Sequence, residues 1–316
     1  MENFRLKVFR AVARHSNFRM AAEDLLLTQP AVTQQVKALE SELDTALFDR
    51  SGGKVSLTPS GAALLPFAER LASLANEARE AVAATTDSSA GKLSIAASQT
   101  IGQYLLPRLL AAFLLDHPKV EIAILGGNTQ TVLEALTAHT VQLALIEGPA
   151  LRQDVQITPF MEDHMVCVVP AGHEWANEDI SLDQLQQTIL VTRELGSGSR
   201  RIVEQALEAA GIRLRDLHIR MTFDSTEGLL SAVEAGLGIA FVSRWAVRPQ
   251  LALGTLQIAR VRGLSLGRMF SLATAAGPPP TGLTATFHRF VLERAELLAP
   301  KSPHPLNRNK PKINRG

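Results

Sequence analysis

Residues 18–40 read FRMAAEDLLLTQPAVTQQVKALE, and this stretch constrains the chain more than any other. A helical apolar pattern on Phe18, Ala21, Ala22, Leu25 and Leu26 stops at a short polar step, and a second pattern begins at once. Thr28 supplies an N-cap hydroxyl, and Pro30 stands in the first turn, where its missing N–H costs nothing. The spacing therefore predicts a helix from Gln29, with Val36, Leu39 and either Ala31 or Val32 turned inward. Gln29, Thr33, Gln34 and Lys37 fall on the opposite side, a polar face of hydrogen-bonding side chains. Upstream, Phe4, Leu6, Val8, Phe9 and Val12 suit one face of a helix over residues 2–15. Two helices joined by three or four residues form a helix-turn-helix, whose second helix fits a DNA major groove. There glutamine pairs with adenine, threonine meets phosphate or a thymine methyl, and lysine reaches phosphate or guanine. A plain helical hairpin with a solvated face has the same periodicity, so periodicity alone does not separate the two.

The residues downstream of this pair favour DNA. Arg50, the pair Gly52-Gly53, Lys54 and the β-like run VSL read as a two-stranded wing carrying basic residues beside the second helix. Thr58 caps another helix with Pro59 in its first turn. Ala63, Leu64, Phe67, Ala68, Leu71, Leu74, Ala75 and Ala78 give this helix an apolar stripe that must be buried. The economical partner is a second copy, which makes a dimer, duplicates the DNA reader and implies two half-sites. The formal net charge is only +1, so contacts to a DNA backbone must come from local placement of basic residues.

With 316 residues, 46% of them apolar, the chain has material for two or three units, each with its own core. Polar residues interrupt every apolar run before the 18 or so residues that a membrane-spanning helix needs. The start, MENFRLKVFRAVARHS, lacks the apolar core of a secretory signal, so a cytoplasmic protein without membrane contact is expected. The single cysteine, Cys167, permits no internal disulfide and no cysteine zinc cluster; within MVCVVP it reads as a buried, inert thiol.

After a polar, small-residue hinge at 85–92 the texture changes. KLSIAAS, VEIAILGG and VQLALIEG read as strands, separated by the helices LLPRLLAAFLLDHP and TVLEALTAHT. FMEDHMVCVVP, TILVTREL, SRRIVEQALEAAG and STEGLLSAVEAGLGIAFVS continue the alternation; LSLGRMFSLATAA reads as a return strand and residues 281–298 as a last helix. Such alternation argues for a mostly parallel sheet with crossovers. Ligands of such sheets sit at the carboxyl ends of strands, against helix N-termini. Four segments qualify: Ser98, Gln99 and Thr100; Asn128 and Thr129; Arg193 with Ser197 and Ser199; and Asp224, Ser225 and Thr226. Hydroxyls, free N–H groups and an arginine suit a small oxyanion or carboxylate. Each is also an ordinary helix cap taken singly, and only convergence on one cleft favours a ligand. GSGS is followed by no Gly-Lys-Ser or Gly-Lys-Thr and is no nucleotide phosphate loop, and the glycines of EAGLGIAF suit a helix-to-strand turn. His139, His164 and His173 have no metal-ligand spacing, and the terminal KSPHPLNRNKPKINRG reads as a basic disordered tail over 301–316.

The run AAEDLLLTQPAVTQQVKALESELDTALFDRSGGKVSLTPSGAALLPFAERL resembles the winged helix-turn-helix and linker helix of the LysR-type transcriptional regulators, and the resemblance continues to about residue 300. ASQTIGQYLLP and RELGSGSR are similar to the sulfur-assimilation and carbon-fixation regulators of that family. The resemblance implies an α plus α/β chain. A winged helix-turn-helix spans 1–58, and a linker and dimerisation helix with hinge spans 59–90. A periplasmic-binding-protein-like α/β effector domain of two subdomains, 91–162 with 268–300 and 163–267, fills the rest. It implies DNA contacts for Gln29, Pro30, Ala31, Thr33, Gln34 and Lys37, with Arg50 and Lys54 in the wing; Gln34 stands where relatives often carry arginine, which removes a charge. The expected partners are a double-stranded operator, a small anionic effector, RNA polymerase and the chain itself, as a dimer and then a homotetramer. Two rivals are an enzyme and a solute-binding receptor. No nucleophile-elbow motif surrounds Ser98 or Ser199, and a solute receptor has no use for a DNA-reading segment.

Overall fold

The computed structural model describes residues 3–50, 55–83, 90–149 and 152–298. Lys54, most of the 85–92 hinge and the 301–316 tail lie outside the described residues.

Helices α1 (Phe4–His15), α2 (Phe18–Asp24) and α3 (Gln29–Glu42) pack around Val8, Phe9, Val12, Phe18, Ala21, Val32, Val36 and Leu39, all buried. Each starts on a side-chain cap. Asn3 accepts the Arg5 N–H, Asn17 those of Arg19 and Met20, and Thr28 that of Ala31. Leu26 departs from its expected inward position. The turn between α2 and α3 needs a left-handed residue there, at φ 55°, and its side chain is 93% exposed. Strands β1 (Phe48–Asp49) and β2 (Ser56–Leu57) pair antiparallel as the wing. The Glu40 carboxylate accepts the N–H groups of Leu47 and Phe48 at 2.9 and 3.3 Å, which ties the wing to α3.

Helix α4 (Pro59–Ala83) has 25 residues. Its first turn lies against the wing: a Cβ on Gly61 would stand 2.1 Å from the Leu47 carbonyl oxygen, so only glycine fits. Ala68, Ala72 and Ala75 are buried, while Phe67, Leu71 and Leu74 remain 51–60% exposed.

The remaining chain alternates strands and helices. The first half comprises β3 (Ala90–Ser98), a π turn (Ile101–Leu105) running into α5 (Leu106–Asp116), β4 (Lys119–Gly127), α6 (Thr129–Thr137) and β5 (Leu143–Glu147). Ala90 and Gly91, expected in the hinge, pair with β4 instead and belong to the sheet, and Lys92 pairs there as the strand KLSIAAS predicts. A long strand, β6 (Val155–Pro170), leads into β7 (Asp179–Ile180), α7 (Leu182–Gln187), β8 (Ile189–Arg193), α8 (Gly198–Ala209), β9 (His218–Phe223), α9 (Thr226–Glu234), β10 (Ala240–Ser243), α10 (Arg248–Leu253) and β11 (Leu256–Val261). Strand β12 (Gly267–Ala275) returns, and α11 (Gly282–Leu298) closes the fold.

The sheet order is β4-β3-β5-β12-β6-β11-β7, with β10 also on β6. Strands β3, β4 and β5 are parallel, but β12 runs antiparallel to β5 and β6, and β10 and β11 run antiparallel to β6, so the sheet is mixed rather than mostly parallel. The cause is the path of the chain. Residues 155–164 of β6 pair with β12, and from Met165 onward β6 pairs with β10 and β11. The chain thus leaves the first subdomain on β6 and comes back on β12, and two such connections side by side must run in opposite directions. Each subdomain has its own core: Leu93, Ile95, Leu109, Phe113, Phe270 and Phe287 in the first, and Met165, Cys167, Leu190, Val203, Leu207 and Phe241 in the second. Burial raises the Cys167 thiol to about 12, which leaves it protonated and inert.

Candidate functional site

On α3, Gln29, Pro30, Gln34 and Lys37 are exposed, and Ala31 and Thr33 are half-buried beside them. Val32, Val36 and Leu39 bury the opposite side, so burial and polarity are segregated by the 3.6-residue period. Together Gln29, Pro30, Thr33, Gln34 and Lys37 line one open concavity on the surface. Arg50 is already engaged: its guanidinium lies 4.4 Å from the Phe18 ring centroid and 3.6 Å from the Glu40 carboxylate.

Between the α/β subdomains the polar residues fall into three groups. The first converges on Glu147, at the carboxyl end of β5. Thr100, Thr129 and Ser199 are buried here, contributed by the start of the π turn and the starts of α6 and α8, and Ser98 is buried at the end of β3, two residues before Thr100. The Thr100 backbone N–H donates to Glu147 Oε1 at 3.2 Å, and the Ser199 hydroxyl donates to Oε2 at 3.3 Å. Thr129 Oγ1 donates to the Glu147 carbonyl at 3.1 Å. A Cβ on Gly198, at the start of α8, would meet that carbonyl oxygen at 2.0 Å, so the two subdomains touch backbone to backbone.

Arg268 on β12 completes this cluster. Its Nη1 lies 2.6 Å from Glu147 Oε2, its Nε 2.7 Å from Asp163 Oδ2, and it donates to Ser199 Oγ at 2.8 Å and Thr100 Oγ1 at 3.4 Å. Asp163, directly opposite Arg268 in the β6–β12 register, also accepts from Ser243 Oγ at 2.8 Å. Burial opposes ionisation of Glu147, but the Arg268 guanidinium, the Thr100 bonds and Arg193 outweigh it and hold this carboxyl below its ordinary value. Burial dominates at Asp163 and, with the Glu147 charge, raises its carboxyl despite Arg268 and Ser243. Two carboxylates sharing one guanidinium titrate as a unit, with Asp163 the first to take a proton.

The second group is a latch further along the cleft. Arg193 is buried and donates to Thr226 Oγ1 at 2.9 Å, to the Phe223 and Asp224 carbonyls and to Glu194. Gln99 reaches across the cleft, accepting the Thr226 N–H at 3.0 Å and donating to the Asp224 carbonyl. Asn128 Nδ2 donates to Glu194 Oε1 at 3.1 Å, and Tyr104 donates to Glu227 at 3.1 Å. The third group consists of caps: Ser197 and Ser225 accept N–H groups of their own helices, and Asp224 joins the latch only through its carbonyl.

Glu147, Asp163, Arg268 and Ser243 were not among the residues singled out from the sequence. One signal for them was present. Arg268 shares strand parity with Phe270 and Leu272, so a charge sits at an inward position of an apolar strand, and Glu147 ends the all-apolar run LALI. Among the described residues no group of histidine, cysteine and carboxylate side chains could hold a metal ion, and no helix is long and apolar enough to cross a membrane.

Two family models match the chain: "Bacterial regulatory helix-turn-helix protein, lysR family" over residues 4–62 and "LysR substrate binding domain" over 86–296. The chain belongs to the LysR family. It is therefore a transcriptional regulator with a helix-turn-helix and an effector-binding domain, and not an enzyme. A probable RuBisCO transcriptional regulator of Cyanophora paradoxa is 32% identical over 300 residues, 94% of this chain and 93% of that protein. The HTH-type transcriptional regulator CysL of Bacillus subtilis is 36% identical over 267 residues, covering 84% and 88%. Full-length CbnR in complex with its target DNA superposes with a TM-score of 0.67 at 25% identity, covering 93% of this chain and 99% of that one. The regulatory domain of Synechocystis CcmR, solved with 2-PG, superposes with a TM-score of 0.61 at 23% identity over 66% of this chain and 99% of that one. Small molecules are bound to the effector domains of two structural neighbours of this LysR-family regulator, 2-PG in CcmR and shikimate in QuiR.

Proposed function

We propose that this LysR-family regulator reads an operator with the exposed face of α3 and is switched by a small anion held between its α/β subdomains. Gln29 and Gln34 read base edges, Pro30, Ala31 and Thr33 pack against the groove wall, and Lys37 with the wing residues Arg50 and Lys54 holds phosphates. CbnR, whose complex with target DNA has the same fold, supports this placement. The chain divides at 58, 90 and 300, with the subdomain boundary near the switch of β6 pairing at His164–Met165.

The anion reading rests on one observation. Helix starts from both subdomains, Thr100 and Ser199, and a buried guanidinium, Arg268, converge on a single carboxylate-sized group. An oxyanion or small carboxylate fits the same donors, and subdomain closure around it changes the spacing of the DNA readers. The readers are paired through the exposed stripe Phe67, Leu71 and Leu74 of α4. Tetramers form through the effector domains, where the edge strand β4 and the strand β9, which pairs with β8 in a separate two-stranded sheet, leave Ile124, Leu125 and Met221 37–51% exposed. In the cytoplasm such an assembly on DNA engages RNA polymerase.

Thr100→Val tests the reading, because it keeps the shape and removes the hydroxyl. Operator footprinting should show unchanged binding without ligand and a weakened response to whichever of sulfite, sulfate, phosphate or a small carboxylate binds in titration calorimetry. Binding of none of these by the wild type overturns the anion assignment, whereas a normal response by Thr100→Val takes only the Thr100 hydroxyl out of the site, since valine keeps the backbone N–H.

A further inference from the structure

The donors that would grip an anion are already taken. Thr100 N–H, Ser199 O–H and Arg268 Nη1 come from the first subdomain, the second subdomain and a connecting strand, and all three end on the two carboxylate oxygens of Glu147 at 3.2, 3.3 and 2.6 Å. One donor is left over. Ser98 Oγ is fully buried and has no hydrogen-bond partner, at the end of β3 and two residues from Thr100. A buried hydroxyl without a partner is costly unless something else uses it.

The charges within the cluster make the same point. Facing one another are Glu147 from β5, Asp163 from β6 and Arg268 from β12, with the neutral Thr100, Ser199 and Ser243 from the helix starts and β10. Arg193 of β8 is the next cation, and it is paired with Glu194 at 2.8 Å. Arg200 of α8 is paired with Glu204 at 2.8 Å. The cluster therefore carries two carboxylates on one guanidinium that cannot lose its proton. A further anion would enter a buried site of net charge −1 whose donors are occupied, and like charges cannot share such a site without neutralisation.

Resting on the anion assignment above, we propose that Glu147 is a resident ligand of the effector site: an anionic effector binds by exchange, taking over the Thr100, Ser199 and Arg268 donors together with Ser98, while the displaced pair of carboxylates takes up a proton. Glu147 then sets specificity. It admits small compact anions whose charge lies within one carboxylate-sized group, and it rejects neutral sugars and cations, which cannot replace it on Arg268. The proton goes to whichever of Glu147 and Asp163 loses its share of the guanidinium, so both charge and donor count balance. Asp163, already raised by burial, is the readier acceptor.

The test is titration calorimetry on the full chain with sulfate, sulfite, phosphate and glycolate, at pH 6, 7 and 8 and in two buffers of different ionisation enthalpy. For wild type, exchange requires uptake of about one proton per anion and affinity that rises toward about tenfold per unit fall in pH, beyond the anion's own titration. Glu147→Gln keeps the shape and removes one charge, so it should bind the same anion at least about tenfold more tightly at pH 8 and lose most of the proton uptake. Glu147→Asp keeps the charge but is too short to hold all three donors, so it should bind more tightly than wild type while retaining proton uptake. Its behaviour decides the matter if Glu147→Gln does not fold by circular dichroism. Anion binding without proton uptake, or variants that bind no better than wild type, overturns the exchange and leaves the anion assignment standing. No binding by wild type or either variant at any pH overturns both.

Discussion

Gly198→Ala should open the cleft between the subdomains. An added Cβ would stand 2.0 Å from the Glu147 carbonyl oxygen and 2.6 Å from Thr129 Oγ1, against an ordinary contact of 3.4 Å or more. The obstacle is backbone in the middle of a sheet, so relief requires the start of α8 to withdraw from β5 by about 1.4 Å. That movement stretches the cross-cleft bonds from Gln130 N–H to the Gly196 carbonyl (3.3 Å), from Asn128 to Glu194 (3.1 Å), from Arg268 to Ser199 (2.8 Å) and from Ser199 to Glu147 (3.3 Å) beyond hydrogen-bonding range. At about 0.5 to 1.5 kcal/mol net for each, the closed arrangement loses about 2 to 6 kcal/mol. The helix itself gains, since alanine is favoured over glycine within a helix by about 1 kcal/mol, so local propensity has the opposite sign and cannot mimic the effect. Amide hydrogen exchange provides the assay. The Gln130 and Thr226 amides, both bonded across the cleft, should exchange at least about thirtyfold faster, the equivalent of 2 kcal/mol. Gly211→Ala is the control: its φ of 81° strains an alanine, but nothing lies within 4 Å of the new Cβ, and the cleft amides should be unaffected. Unchanged protection at Gln130 and Thr226 in a folded Gly198→Ala protein would refute the backbone-contact argument.

Gln29→Ala should cost about 1 to 3 kcal/mol on the operator and little on random duplex, the loss of one bidentate base contact; equal losses on both in a binding titration would remove Gln29 from the readers. Leu71→Asp places a charge within the exposed stripe of α4 and should abolish paired-site binding while the helix-turn-helix stays folded; sedimentation of an intact dimer would reject the seam. Arg268→Ala strands two buried carboxylates and should lower unfolding stability at pH 7 by about 3 to 5 kcal/mol in urea titrations. The deficit should shrink toward pH 4. In the wild type Glu147 has a depressed carboxyl whose contribution persists until pH falls below its ordinary value, whereas in the variant the two buried acids, no longer held charged by Arg268, become neutral and harmless over the fall toward pH 4. A deficit that does not change with pH would mean that packing, rather than charge, sets it.

The exposed polar face of α3 was legible in the sequence because every determinant of it is local. Thr28 caps α3, Pro30 fits its first turn, and the 3.6-residue period separates Val32, Val36 and Leu39 from Gln29, Gln34 and Lys37 without help from any distant residue. Leu26 failed for a local reason as well: the turn geometry, and not its hydrophobicity, chose its direction. The cap residues of the cleft were legible in the same way, since serine and threonine before helices announce themselves, but sequence alone could not distinguish Ser197 and Ser225, which only cap, from Thr100 and Ser199, which meet across the subdomains. The charged centre of the site depended on tertiary structure. Asp163 and Arg268 are 105 residues apart and become neighbours only because β6 and β12 run antiparallel in one register. Glu147 joins them because β5 lies on the other side of β12. A strand's pattern states which side chains point inward, but not which strand will lie beside it, and a buried charge takes its meaning from that neighbour.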